Sequence, residues 1–259
     1  MRHHYLQLLQ ACILRGDISR AGDEIDRRYF YMDSQGRGRY SCGLARQAIM
    51  GFLREYGKEY VFLGPEWSMS LDAFKNNPSV IGFTIEQMII SRIASAGVTT
   101  GAFKIPGAKI IPFEDNTALL QREQKVAYYI PVKFNLKAID GLFVRLNTKH
   151  RTAVVVAIQI TVAKRHKDSV QAFFASWDQW TRGLENFTIK ASFLWIHEGE
   201  RGQQEVEAKL RELRGTTKQN WPDHTVYWVS IEKIDKDLAR RLGSIRPSYW
   251  STPDGQETS

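Results

Sequence analysis

The sequence predicts an α/β fold with a mixed sheet and a helical N-terminal extension, and three observations carry that expectation. Residues 153–162, Ala-Val-Val-Val-Ala-Ile-Gln-Ile-Thr-Val, are β-branched almost throughout, the pattern of a strand central to a sheet. Val170, Phe173, Phe174, Trp177, Trp180 and Leu184 then recur at helical spacing before a second apolar strand, Ala191–Ile196. That order is a strand, helix, strand crossover. Upstream, Asn76-Asn-Pro-Ser79 stops one periodic pattern and opens another, because Asn and Pro interrupt helices.

Taken in order, Tyr5, Leu8, Leu9, Cys12 and Ile13 have helical periodicity, and the glycine-rich turn Asp33–Arg39 separates them from a second helical run, Leu44–Tyr56. Residues 1–77 are therefore read as a helical extension. From Phe83 to Ala96 the apolar Phe83, Ile89, Ile90 and Ile93 share a helical face, and Gly97 closes the helix. Strands are expected at Ala108–Pro112, Val126–Val132, Asp140–Leu146 and Val226–Ile231, with an amphipathic helix at Val206–Leu213. The main domain spans residues 78–240. Residues 241–259 are read as a flexible tail, polar from Arg246 onward.

Lysine and arginine number 36 against 28 acidic residues, a net charge of +8 that favours a polyanionic partner. Cys12 and Cys42 lack metal-ligand spacing, which argues against a zinc site and a disulfide framework. The opening residues hold too short an apolar stretch for a signal peptide, and no run reaches the roughly 18 apolar residues of a membrane helix. The expectation is an intracellular protein with no membrane partner.

Alternation along the 153–162 strand puts Val154, Val156, Ile158, Ile160 and Val162 on one face and Ala153, Val155, Ala157, Gln159 and Thr161 on the other. If the strand pairs with the one beginning at Asp140 through the basic turn Asn147-Thr-Lys-His-Arg151, the Asp140 carboxylate falls near Gln159. These are the groups that metal-assisted hydrolysis of a phosphodiester uses. A magnesium or manganese ion takes hard oxygens, here the Asp140 carboxylate, the Gln159 amide oxygen and the Ile160 carbonyl; a cation or proton donor is offered by Lys164 or His166. Glu86 is the second candidate acid, since a carboxylate among Phe83, Ile89 and Ile90 is costly to bury without a partner.

Ile139-Asp-Gly141 followed by Gln159-Ile-Thr-Val-Ala-Lys-Arg-His166, with Gly82-Phe-Thr-Ile-Glu86 upstream, resembles the PD-(D/E)xK nuclease-like domain of Crinkler effectors and retrotransposon hot spot proteins. The likeness covers roughly residues 80–235. It implies a restriction-endonuclease-like core of helix, three strands, helix and strand, and a metal-dependent nuclease site with Asp140, Gln159 and Glu86 as metal ligands and Lys164 in the lysine's role. Thr161 and His166 would support the site, and the expected substrate is DNA or RNA. It also implies a nuclear location, in a host nucleus for a secreted effector, a host protein as a further partner, and an upstream ATPase domain whose end residues 1–77 would form. This sequence departs from the family pattern of acid, any residue, lysine: it has Gln159-Ile160-Thr161. With no GxxxxGK[ST] phosphate loop, ATP binding by this chain is not expected.

Each residue also has a plainer role. Asp140 with Gly141 is a common turn signal, His166 alone suits a surface histidine, and Trp177 and Trp180 at helical spacing suit core packing over base stacking. Arg145, Lys149 and Arg151, with Arg165 and Lys167, form either solvated turns or a phosphate-binding rim. The missing acid and lysine at Gln159 and Thr161 support an alternative to hydrolysis: a catalytically inactive nucleic-acid-binding or effector module on the same fold.

Overall fold

Three β-branched or apolar runs, Gly141–Asn147, Thr152–Thr161 and Thr188–His197, become three of the four inner strands of a mixed six-stranded sheet. The computed structural model describes residues 30–32, 38–40, 71–72, 78–101, 103–113, 125–131, 139–161, 169–198 and 221–250. In chain order the strands are β1 (Phe30–Met32), β2 (Gly38–Tyr40), β3 (Val98–Thr100), β4 (Phe103–Ile105), β5 (Ile110–Phe113), β6 (Val126–Pro131), β7 (Gly141–Asn147), β8 (Thr152–Thr161), β9 (Thr188–His197) and β10 (His224–Ser230). The helices are α1 (Pro78–Ala96), α2 (Ser169–Ala175), α3 (Trp177–Trp180), α4 (Ile231–Ile234) and α5 (Lys236–Trp250). The chain divides into two compact units, one of Met1–Met88 with Asp237–Ser259 and one of Ile89–Lys236.

In the Ile89–Lys236 unit the sheet order is β10-β9-β8-β7-β6-β5. β8 pairs parallel with β9 and antiparallel with β7, so the hairpin and the crossover meet on the same strand. Both faces of β8 are covered, which is why its run is apolar at odd and even positions alike. Ala153, Val155 and Ala157 face a core of Leu142, Val144, Phe173, Trp180, Leu184, Phe193 and Trp195. Phe173 stacks on Trp180 with ring centroids 5.4 Å apart, and Trp180 is 3% exposed, so this tryptophan is core. The helical run after β8 is broken in two at Ser176, between α2 and α3.

The opposite face, with Phe143, Val156, Ile158 and Leu194, receives the Ile89–Ala96 half of α1 and the β3–β4 hairpin. Ile90 Cδ1 lies 3.7 Å from the place a Gly141 Cβ would take, and Phe103 stacks at 4.0 Å on Tyr227. Gly97 ends α1 with φ 76°, its N–H bonded to Ile93 O at 2.8 Å; a side chain there would collide with the Ile105 carbonyl. The expected closing role of Gly97 is thus visible in the backbone.

In the other unit Leu71, Ile81, Phe83, Ile85 and Met88 are buried, as are Leu238, Leu242 and Ile245. Those last three share a helical stripe on α5, which continues to Trp250, so the tail expected from residue 241 onward is helical for its first ten residues. The antiparallel pairs β1–β2 and β3–β4 were absent from the expected element order; strands of three residues are too short to show a period. The helical runs expected at Tyr5–Ile13, Leu44–Tyr56 and Val206–Leu213 lie outside the described residues. No helix among the described residues is long and apolar enough to cross a membrane.

Candidate functional site

The register of three strands gathers polar side chains at one end of the sheet. Gly141 stands opposite Ile158, so Asp140, one residue earlier, comes opposite Gln159; its N–H bonds to Ile158 O at 2.9 Å. Parallel pairing sets Gln159 beside Trp195 and Thr161 beside His197, and β10 continues the row with Trp228 beside Trp195. This is the carboxyl end of β8, β9 and β10, where open α/β sheets place ligands.

Asp140 Oδ2 accepts two hydrogen bonds, from Gln159 Nε2 at 2.6 Å and from the Ile160 backbone N–H at 2.6 Å. The same Gln159 Nε2 also points at the Ile160 carbonyl oxygen, 3.4 Å away. Two acceptors around one nitrogen require the NH₂ end of the amide on that side. Burial pushes the Asp140 carboxyl up to about 7, against the two hydrogen bonds, which favour its charged form and pull the other way. The residue itself is half-buried.

His197 is 4% exposed, with its ring 5.9 Å from that of Trp228 in an edge-on arrangement. Trp195 and Trp228 stack in parallel at 5.6 Å and extend the row beyond Gln159. His197 was not a sequence candidate: it closes an apolar run, and only the parallel offset of β9 against β8 sets it beside Thr161. Nothing local announces that offset.

The other candidates fall elsewhere. Glu86 is half-buried on α1, within the Met1–Met88 unit. Lys164, Arg165, His166 and Lys167 lie outside the described residues. Arg145 has its Cα partner in Val154, so it occupies the sheet face opposite Asp140. Lys149 and Arg151 sit in the turn at the far end of β7, whose seven residues span about 20 Å. Those cations and the Asp140 carboxylate therefore do not share one phosphate.

Magnesium needs several hard oxygens with room between them. As arranged, the residues here do not fit it: Asp140 Oδ2 and Ile160 O, two of the expected ligand atoms, both face the Gln159 amide nitrogen. Among the described residues no three His, Cys, Asp or Glu side chains gather as a metal group. No family model, curated protein or solved structure matches the chain.

Proposed function

We propose that this chain is a nuclease-like domain of the PD-(D/E)xK type that acts on DNA or RNA, with Asp140 and Gln159 at its site. The observation that supports it is their meeting at 2.6 Å from separate strands, at the end of the sheet where α/β folds bind ligands. A half-buried acid pushed up to about 7 is the kind of perturbed group that functional sites hold. The restriction-endonuclease-like core and the nuclear setting belong to the same proposal.

A second reading is favoured by the Gln159 amide itself, which satisfies the oxygens that a hydrolytic cation would take. On that reading the fold binds nucleic acid without turnover. Plasmid nicking with and without added magnesium separates the two. Nicking that is magnesium-dependent and lost in Asp140→Ala supports hydrolysis, and undiminished nicking by that variant removes the site. Salt-dependent binding with no nicking selects the binding module.

A further inference from the structure

We propose that the sheet face opposite Asp140, at the β7–β8 turn end, is a binding surface for the phosphodiester backbone of a nucleic acid, centred on Arg145 and Lys190 with Lys149 and Arg151. The proposal rests on the nucleic-acid reading above and moves the footprint away from the Asp140 site.

The register makes the surface. Arg145 on β7 and Lys190 on β9 are both Cα partners of Val154 on β8, so the three side chains stand in one row on one face. Both cations are exposed and Val154 between them is half-buried. With strands ~4.8 Å apart, the two charges start about 10 Å from each other. Two residues beyond Arg145 the chain enters the turn, where Lys149, His150 and Arg151 are all exposed. The turn is held by the Asn147 side chain, which accepts the His150 N–H at 3.1 Å, and by Arg151, whose φ is 48°. A left-handed backbone is where glycine or asparagine ordinarily sits. Here an arginine holds it.

Cations outnumber acids across this area: Arg145, Lys149, Arg151 and Lys190 stand against Asp223, which the register sets beside Lys190, and Glu185 in the adjoining turn. Between Gly141 and Thr161, and again between Thr188 and His197, there is no Asp or Glu. In the adjoining Gly183–Phe187 turn, tied to the β7–β8 turn by Thr188 N–H to Arg151 O at 2.8 Å, Glu185 is the one acid, and it accepts the Gly183 N–H at 2.8 Å. An excess of exposed cations held on a rigid sheet end fits a repeating anion. Contacts from Arg and Lys to phosphate oxygens carry no base information, so the recognition proposed is of the backbone and independent of sequence.

The test is fluorescence anisotropy with a labelled random-sequence duplex DNA over a series of potassium chloride concentrations. Neutralising four phosphates gives a slope of log affinity against log salt of about −3.6, and Arg145→Ala/Lys190→Ala lowers its magnitude by about 1.8 and weakens binding at low salt at least 10-fold. Lys233→Ala/Lys236→Ala, which removes the same charge from exposed positions elsewhere in the chain, keeps the wild-type slope. Circular dichroism checks that each variant is folded. Equal slopes for wild type and Arg145→Ala/Lys190→Ala overturn the proposal, as does equal weakening by the control pair. Tight binding to anionic phosphatidylserine vesicles with none to DNA also overturns it. Absence of nicking by the wild type overturns hydrolysis alone, because the slopes are read from binding.

Discussion

Gln159 Nε2 lies 2.6 Å from Asp140 Oδ2 and 3.4 Å from its own neighbour's carbonyl oxygen, Ile160 O. One amide nitrogen thus ties the start of β7 to the end of β8, while the Ile160 N–H supplies a second donor to the same carboxylate oxygen. This is both a structural latch and the centre of the proposed site.

Asp140→Ala removes the acceptor for two donors in a half-buried setting. Hydrogen bonds to a charged group contribute roughly 1.5–3 kcal/mol, and an unsatisfied donor costs about 1–3 kcal/mol, so a loss of about 2 kcal/mol is expected in urea unfolding. Asp140→Asn, which keeps an acceptor for the Ile160 N–H, loses less. Equal stability of Asp140→Ala and wild type would show that the latch carries no weight.

The pH dependence follows from the carboxyl being pushed up to about 7 from an ordinary 3.8. Between those values the folded protein holds a proton that the unfolded chain has released, so stability falls as pH rises from about 4 to about 7 and is flat above. Thermal midpoints of wild type minus Asp140→Asn should decline over that window. A difference independent of pH would contradict desolvation of the carboxyl as the cause of its shift. If hydrolysis needs the charged carboxylate, nicking rises through the same region.

Gln159→Glu replaces the donor with a second carboxylate next to Asp140. Like charges this close oppose each other, so the variant is expected to melt below wild type at pH 8 and to be restored by millimolar manganese. The increment for a bound ion is about 2.7 kcal/mol at a concentration 100 times its dissociation constant. No manganese effect on either protein would mean that the oxygens around position 159 do not converge on a cation.

Arg151→Gly separates strain from binding. Relief of a left-handed residue is worth roughly 1–2 kcal/mol, offset by about 0.5–1 kcal/mol of glycine's extra unfolded-state freedom. Stability should hold or rise slightly in urea unfolding while DNA affinity falls. Loss of both together would make Arg151 a structural residue of the turn.

Phe173→Ala tests the core under the site, because its ring meets Phe174, Trp177, Trp180 and Phe193 at centroid distances of 5.0 to 6.1 Å. Truncating a buried phenylalanine costs about 3–5 kcal/mol. Trp177→Ala, at a half-buried position, should cost less by the same measurement.

The sequence alone determined the local elements that have a period or a stop signal. Gly97 marked the end of α1, and the alternation from Ala153 to Thr161 named the two faces of β8 and put Gln159 on the same face as the core alanines. The Asp140–Gln159 opposition was readable too, since a hairpin through Asn147–Arg151 sets its own register. Tertiary structure decided the rest. The parallel offset of β9 on β8 is a pairing between strands distant in the chain, and only that offset brings His197 to Thr161 and Lys190 into line with Arg145. Leu238, Leu242 and Ile245 are a helical stripe in a polar stretch, and their burial marks the face by which α5 is packed. Periodicity reports which face of an element seeks cover; which partner supplies it depends on contacts distant in the chain, and there the Arg145–Lys190 row was made.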